Sequence, residues 1–525
     1  MKILISDPIE QVCVDILTSE GFEVDVKPNR PIEELKGMIS DYEVLIVRSS
    51  TQVTAELIGA AKKLKVIGRA GAGVDNIDVD AATRRGVIVM NTPGGNTVST
   101  AEHTMSLLLS LSRNIPQANE SLRSGKWDRK KFTGTEVLGK TIGIIGLGKV
   151  GREVAVRCQA FGMTTIGFDP LLSAEVAAKT NIQLASLNEV FQRSDFISVH
   201  TPLNEDTKGL VGDKEIAMCK PGVRIINCAR GGIVDEGALL RGLESGKVAG
   251  AALDVFENEP PGEHPLLKNP KVVATPHLGA STEEAQEKVA RQIAKQVSDA
   301  LKERGISGAV NAEAIQLAMR KELQPFIILA EKLGTLQAQL MRGQLQKMTI
   351  ASSGSFVTQA TELITASALK GLLSHLLTEP VNLINSPVIA KEMGITIDEK
   401  RESDHISYTH LITLKYQTDK ETRKFAGTVF GNSQVRIVQI DDFHMEIHPE
   451  GHLLFYKNVD KPGMLAKVGS ELALANINIA GVALGRDKPG QKALTVMNVD
   501  SQIPGQILKK LEQIEGVFEV RTAKI

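Results

Sequence analysis

The chain has 525 residues, of which 42% are hydrophobic and 23% charged, and its formal net charge is −1 at pH 7. This length predicts three or four domains of about 150 residues each, and the composition is typical of globular domains with sizeable cores. The charge balance argues against nucleic acid or an anionic membrane surface as a partner, so recognition of any anion must be local.

The cysteines and the N-terminus predict a cytoplasmic protein without a metal site or a membrane partner. The four cysteines are widely spaced and form no CxxC pair: Cys13, Cys158, Cys219 and Cys228. The N-terminal sequence MKILISDPIE reaches Asp7 and Pro8 too early for the core of a signal peptide. No apolar run approaches the roughly 18 residues that a membrane span needs.

The first third of the chain alternates β-rich runs with helical patterns. The predicted strands are MKILIS, FEVDVK, YEVLIVRS, KVIGRAG and VIVMNT. Helical patterns such as 9–19 and 54–61 separate them, and this alternation predicts βαβ units around a parallel sheet. The next helical pattern, 98–113, is apolar on all sides, which indicates burial in a core or an interface.

A second βαβ series begins at KTIGIIGLGKVG and contains a dinucleotide signal. Gly146, Gly148 and Gly151 follow an apolar strand and open a helical pattern, so backbone N–H groups can approach a pyrophosphate closely. Asp169 ends the next strand, TTIGFD, 18 residues after Gly151, where a carboxylate binds the adenosine ribose. Its charge repels a 2′-phosphate, and the pattern therefore predicts NAD rather than NADP.

Three later segments place polar residues beside strand ends, where open α/β sheets bind ligands. Arg230 lies in IINCARGG, Glu259 in LDVFENEP, and His277 in ATPHLG between a strand (KVVAT) and the helical pattern 281–300. Oxidation of a 2-hydroxy acid needs a cation for the carboxylate, a base that titrates near neutrality, and an acid that orients this base. The three residues fit these roles, although by chemistry alone His277 could equally be a structural loop histidine.

The last two regions have a different character. Residues 313–450 contain four strand patterns and two helical patterns, at 360–377 and 387–393, without glycine-rich nucleotide signals. The final 75 or so residues show the βαββαβ order of a small ferredoxin-like unit.

Seven motifs follow one another along the chain: AGAGVDNID, NTPGGNTVSTAEHT, GIIGLGKVG, HTPLNEDTKGL, INCARGGIVDE, DVFENEP and TPHLGAST. In this order they resemble the signatures of the D-isomer-specific 2-hydroxyacid dehydrogenases. The whole length is similar to the long members that oxidise 3-phosphoglycerate and carry an intervening domain and an ACT domain.

This resemblance implies an α/β fold with four parts. A flavodoxin-like substrate lobe comprises 1–97 and 282–312, and a Rossmann lobe, 98–281, is inserted between its segments. An α+β intervening domain, 313–450, and a ferredoxin-like ACT domain, 451–525, follow. The resemblance further implies a homotetramer that catalyses the first step of L-serine biosynthesis.

The resemblance also assigns roles to individual positions. Arg230, Glu259 and His277 match the family's catalytic arginine, glutamate and histidine. The positions that match the NAD site are Gly146, Gly148, Lys149, Val150, Gly151, Asp169, Thr201, Cys228, Ala229, Arg230, Asp254, His277, Leu278, Gly279 and Ala280.

A substrate with both a carboxylate and a phosphate requires a second cationic pocket. By the family match Arg48, Arg69 and Asn96 face the cleft with Arg230. Some relatives have a further arginine where this chain has Ser50. The basic run 129–131 either adds charge, from a neighbouring subunit, or is a solvated face.

The ACT resemblance implies L-serine as an effector. Asn458, Asp460 and Asn478 stand where the family's serine contacts lie. Some relatives have histidine at 458 and asparagine at 460, so the motif departs here, and ACT domains also serve assembly alone. Two alternative functions stay open: a hydroxypyruvate- or glycerate-type reductase, and an NAD-sensing corepressor on the same fold.

Overall fold

The computed structural model describes the chain apart from residues 171, 173, 313–316, 319, 378–379, 403–406, 432 and 489. The expected domain boundary at residue 313 lies outside the described residues. None of the helices in the described part of the chain combines the length and apolar character that a membrane crossing demands.

Five parallel strands form the first sheet, in the order β2-β1-β3-β4-β5. They are β1 Lys2–Ile5, β2 Glu23–Val26, β3 Val44–Val47, β4 Val66–Arg69 and β5 Ile88–Met90. The intervening helices are α1 Gln11–Ser19, α2 Ile32–Met38, α3 Ala55–Ala60 and α4 Val79–Arg84. This strand order is the flavodoxin-like order that the family resemblance implied, and all four residues of β3 are buried, as in a sheet covered on both faces.

Seven parallel strands form the second sheet, in the order β12-β11-β10-β9-β6-β7-β8. The strands are β6 Thr141–Ile145, β7 Thr164–Phe168, β8 Gln183–Leu184, β9 Phe196–Val199, β10 Val223–Asn227, β11 Val248–Leu253 and β12 Val272–Ala274. The helices are α5 Thr97–Arg113, α6 Ile115–Arg123, α7 Lys149–Ala160, α8 Ala174–Lys179, α9 Leu187–Arg193, α10 Asp213–Met218, α11 Glu236–Glu244 and α12 Pro265–Lys268. The order reverses between β6 and β9, which is where a doubly wound sheet binds its ligand.

Helix α13, Glu283–Leu301, returns the chain to the first sheet. Its apolar face, which includes Val289, Ile293 and Val297, joins the core that Ile3 and Ile5 of β1 form. The second sheet is therefore inserted into the first lobe, and the carboxyl ends of both sheets border one cleft.

A six-stranded mixed sheet follows, in the order β14-β13-β15-β16-β17-β18. Its strands are β13 Leu345–Ser353, β14 Thr396–Glu402, β15 Leu411–Thr418, β16 Thr422–Phe430, β17 Gln434–Ile440 and β18 Phe443–Ile447. Its helices are α14 Gln324–Leu340, α15 Ser355–Thr358, α16 Thr361–Leu376 and α17 Ser386–Glu392. Two of these elements were not predicted from the sequence: α14, which is buried on most sides, and β14, an edge strand of mostly exposed charged residues.

The last unit is a four-stranded antiparallel sheet in the order β20-β21-β19-β22. It comprises β19 His452–Val459, α18 Met464–Leu474, β20 Ile479–Arg486, β21 Lys492–Val499, α19 Gly505–Glu512 and β22 Val517–Lys524. The predicted fold class, including the βαββαβ order of this unit, is confirmed.

Candidate active site

His277 and Glu259 form a hydrogen-bonded pair in the cleft. His277 Nδ1 lies 2.7 Å from Glu259 Oε2, and the other carboxylate oxygen accepts a hydrogen bond from the Phe256 N–H at 3.1 Å. The imidazole is 47% exposed, and Nε2 has no hydrogen-bond partner within the described residues. With Nδ1–H fixed on the carboxylate, Nε2 can accept a proton from a ligand in the cleft.

The charge state of Glu259 suits this pairing. Burial raises the pKa of Glu259, but the hydrogen bond from His277 and the positive charges of His277 and Arg230 outweigh burial and leave the pKa below its usual value. The carboxylate is therefore ionised at neutral pH, and it can stabilise the imidazolium that forms when His277 takes up a proton.

The backbone of His277 is held in an unusual conformation by Asp254. His277 has φ +54°, a left-handed conformation that costs a residue with a side chain about 1–2 kcal/mol. The buried Asp254 carboxylate accepts hydrogen bonds from the N–H groups of Leu278 at 2.7 Å and Gly279 at 2.8 Å. It thereby fixes the turn that aims the imidazole at the cleft.

Two residues outside the predicted set complete this arrangement. His103 Nε2, on α5, lies 3.1 Å from Asp254 Oδ1, and the Thr275 hydroxyl donates to the same oxygen at 2.6 Å. Burial raises the pKa of Asp254, but these hydrogen bonds and that from the Leu278 amide lower it below its usual value. Sequence reasoning missed His103 because about 150 residues separate it from Asp254.

We expect replacement of Asp254 by asparagine to lower kcat about 10- to 100-fold, because the amide NH2 group replaces one of the two acceptor oxygens, faces the N–H of Leu278 or of Gly279 and displaces the turn. The lowered pKa means that ionised Asp254 stabilises the fold above its ordinary pKa, and that this stability is lost as the pH falls through the lowered value. The variant should therefore show a smaller loss of stability on acidification, measured as the melting temperature against pH. Asp206→Asn, at an exposed site, is the control. An unchanged kcat in Asp254→Asn would contradict the role of Asp254 in holding the turn.

Arg230 connects the two lobes. Its Nε donates to Asp75 Oδ2 of the first lobe at 3.0 Å, and Nη1 donates to its neighbour's carbonyl, that of Ala229, at 2.7 Å. A Cβ atom on Gly73 would lie 2.0 Å from Nη2, so only glycine admits the guanidinium here. Asp75, in the motif AGAGVDNID, was not among the predicted site residues.

Arg48 and Arg69 border a cavity beside the catalytic pair, which has a volume of about 300 Å³ and is also lined by Asn96, Glu259 and His277 among others. Arg230 is not among the residues that line it. Burial, assisted by repulsion from Arg230, lowers the pKa of Arg69 to about 10, so Arg69 stays charged at neutral pH. Its Nε has no hydrogen-bond partner in the described part of the chain. This cluster of cations suits a small ligand with two anionic groups, whereas the run 129–131 does not line the cavity.

The glycine motif has the geometry of a dinucleotide turn. Gly146 has φ +92°, and a Cβ atom there would lie 2.6 Å from the His200 carbonyl oxygen. Gly148 caps α7, and no atom lies within 4 Å of the Cβ position there, so the helix N-terminus is open to a ligand. Asp169, at the end of β7, accepts a hydrogen bond from the Leu147 N–H at 2.8 Å, which places its carboxylate beside the turn.

The remaining predicted cofactor residues lie in this region or at its border with the catalytic pair. Lys149, Val150 and Gly151 form the first turn of α7. Thr201 follows β9 at the switch point, and its buried hydroxyl has no partner among the described residues, which fits a contact with a bound dinucleotide. Burial raises the pKa of Cys228 to about 12, so its thiol, at the end of β10, is neutral. Ala229 lies just after β10, and Leu278, Gly279 and Ala280 lie in the turn after β12.

The structure separates the three predicted serine contacts within one chain. Asn458 is buried and donates to the Val459 carbonyl, and Asp460 forms an ion pair with Arg486 at 3.6 Å. Asn478 lies at the opposite end of the sheet, where it donates to Asp500 at 2.8 Å. The strand registers put Asp460 and Asn478 about 30 Å apart along the sheet.

Three family models match consecutive parts of the chain. Residues 105–279 match the NAD-binding domain of the D-isomer specific 2-hydroxyacid dehydrogenases. Residues 322–441 match the D-3-phosphoglycerate dehydrogenase intervening domain, and 452–516 match the ACT domain. The NAD site predicted from the glycine motif thus coincides with a known NAD-binding domain.

Curated relatives and solved structures agree with these matches. The chain is 43% identical to a D-3-phosphoglycerate dehydrogenase of Archaeoglobus fulgidus over 99% of both chains. It is 50% identical to that of Rattus norvegicus over 75% of this chain and 74% of the relative. Among solved structures, a glyoxylate reductase from Paecilomyes thermophila has a TM-score of 0.55 and 34% identity, and the match covers 59% of this chain and 98% of that one.

Proposed function

The chain belongs to the D-3-phosphoglycerate dehydrogenase family, and we propose that it oxidises 3-phospho-D-glycerate to 3-phosphohydroxypyruvate with NAD, the first step of L-serine biosynthesis. The observation that carries this proposal is the cavity in which the His277–Glu259 pair meets Arg48 and Arg69. His277, oriented by Glu259, supplies the base that the oxidation needs. Arg48 and Arg69 supply positive charge for a phosphate group, which a simple 2-hydroxy acid lacks.

In the proposed reaction each residue has one task. Bound NAD supplies the hydride acceptor. Nε2 of His277 accepts the proton of the C2 hydroxyl, and Glu259 stabilises the resulting imidazolium. Arg230 binds the substrate carboxylate and polarises the C2–O bond, whereas Arg48 and Arg69, with Asn96, bind the phosphate end.

The reverse reaction tests the substrate class. We expect NADH oxidation to be fastest, as kcat/KM, with phosphohydroxypyruvate and much slower with hydroxypyruvate or pyruvate. A preference for hydroxypyruvate would indicate a reductase of the same family, and the absence of turnover with all three would favour an NAD-sensing protein.

Replacement of Asp169 by alanine should shift the cofactor preference, the ratio of kcat/KM for NAD to that for NADP, at least about 10-fold toward NADP. The physical reason is the loss of repulsion between the carboxylate and the 2′-phosphate. Asp169→Asn retains an acceptor for the Leu147 N–H. It therefore distinguishes the effect of the lost charge from the effect of a disturbed turn. Asp206→Asn, an exposed site on the same lobe, is the control, and an unchanged ratio in both Asp169 variants would exclude the ribose assignment.

We also propose the domain division of the sequence analysis, with 1–97 and 282–312 as one lobe around 98–281. Its support is the packing of α13 against α1 and β4 of the first lobe. The intervening domain and the ACT domain then comprise 313–450 and 451–525.

L-Serine and a homotetramer complete the proposal. Asp460 and Asn478 lie at opposite ends of the sheet within one chain. A serine that contacts both therefore requires the ACT domains of two copies, packed so that opposite ends of their sheets meet. Serine should then lower the initial rate, and Asp460→Ala should raise the half-effective serine concentration about 10-fold or more with the substrate KM unchanged. Asp487→Ala is the matched control. The same response to serine in Asp460→Ala would place the serine contacts elsewhere, and no effect of serine on the unmodified protein would argue for a domain that serves assembly alone.

A further inference from the structure

A large cavity lies outside the catalytic cleft, between the first lobe and the intervening domain. Its volume is about 1060 Å³, and six cations line it: Lys62, Lys63, Lys65, Arg84, Arg85 and Lys370. Lys65 and Gly86 precede β4 and β5, so the cavity opens at the amino ends of the strands whose carboxyl ends border the active site. We call it the basic cleft.

The positive charge of the basic cleft is only partly neutralised. Lys63 pairs with Asp41 at 3.6 Å, Arg84 with Glu392 at 2.9 Å, and Lys370 with Glu331 at 2.8 Å. By contrast, Lys62, Lys65 and Arg85 form no ion pair with any described residue.

The one acid that lines the basic cleft is Glu43, and its carboxylate accepts a hydrogen bond from the Lys2 N–H at 2.6 Å. This hydrogen bond leaves the carboxylate charged, and the charge of Glu43 acts on Lys65. The unpaired cations of the basic cleft still outnumber its acids, and this excess positive charge attracts an anion.

Contacts between the two domains hold the walls of the basic cleft together. Asn382 Nδ2 donates to the Gly86 carbonyl at 3.0 Å, and Asn385 Nδ2 donates to the Arg84 carbonyl at 3.1 Å. Apolar residues complete the lining: Leu64, Ile88, Pro380, Leu383 and Ile384. A concave site with an apolar lining and a few charged groups is typical of small-molecule sites rather than of a solvated lysine face.

We propose that the basic cleft binds a small organic polyanion with at least two phosphate or carboxylate groups. One group is bound by Lys62, Lys65 and Arg85 of the first lobe. The second lies toward Lys370 of the intervening domain, and the apolar lining contacts the carbon skeleton. A ligand bound in this way connects the lobe that supplies Arg48 and Arg69 to the intervening domain, at a site distinct from the catalytic one.

Lysine footprinting of the full-length protein tests this proposal residue by residue. The protein is acetylated briefly at increasing concentrations of inorganic pyrophosphate, and the modification of each lysine is measured by mass spectrometry. Lys62 and Lys65 should lose reactivity several-fold with a common half-point in the micromolar to millimolar range. Lys130 and Lys131, which line no part of the cleft, should be unaffected and serve as the internal control.

Matched variants separate a site from general attraction of anions. Arg85→Gln should raise the half-point at Lys62 and Lys65 about 10-fold, whereas Arg129→Gln, in the other basic run, should leave it unchanged. Equal protection of both basic runs, no protection of Lys62 and Lys65, or an unchanged half-point in Arg85→Gln would each overturn the proposal. Since the readout does not involve turnover, its failure is independent of the proposed dehydrogenase activity.

Discussion

Replacement of His277 by alanine should lower kcat by about 10³-fold or more and leave the affinity for NADH nearly unchanged. The reason is that Nε2 is the only free base we find in the cleft among the described residues, since the Glu259 carboxylate is engaged by Nδ1 of the same imidazole and by a backbone N–H. General base catalysis typically contributes 10²- to 10⁴-fold. NADH fluorescence titration and steady-state kinetics measure the two quantities separately.

Two further variants sharpen this test. Glu259→Gln keeps a hydrogen-bond acceptor for Nδ1 but removes the negative charge that stabilises the imidazolium, so it should lower kcat less than His277→Ala does. His448→Ala removes an exposed histidine that pairs with Glu450 at 3.4 Å in a distant part of the chain, and it should change nothing. A kcat within a few-fold of the unmodified protein in His277→Ala would rule out the proposed base.

Local sequence signals predicted most of the fold because they are properties of single elements. Alternation of apolar runs with helical patterns is visible wherever strands are buried on both faces, as in β3 and β6. The sequence carried no such signal for β14, an edge strand whose charged side chains face solvent, or for α14, which neighbouring elements surround.

The candidate site shows the same division between local and long-range information. Arg230, Glu259 and His277 each follow a strand, so the sequence could place them at one sheet edge. The residues that hold them are remote in sequence: His103 is on α5, and Asp75 belongs to the other lobe. Such partners follow from the packing of two lobes, which no periodicity in the sequence records.

Lysine in place of Arg230 should lower kcat/KM for 3-phosphoglycerate about 10²- to 10³-fold, equivalent to about 3–4 kcal/mol of lost transition-state binding. A guanidinium offers several N–H groups in a fixed plane. Arg230 can therefore donate through Nε to Asp75 and through Nη1 to the Ala229 carbonyl, and its other N–H groups can still bind the substrate carboxylate. An ammonium has three donors on a flexible stem and cannot satisfy all these partners in one geometry. Steady-state kinetics measure the loss.

The contact with Asp75 provides a second, independent measurement of the same geometry. Asp75→Asn retains an oxygen acceptor for Arg230 Nε and should cost less in kcat/KM than Asp75→Ala, which leaves the guanidinium free to rotate. Arg241→Lys repeats the arginine substitution at an exposed pair with Asp213, away from the cleft, and should leave kcat/KM unchanged. If Arg230→Lys and Arg241→Lys had the same small effect, the clamp on the carboxylate would have to be sought at Arg48 or Arg69, and Arg230 would be a structural link between the lobes.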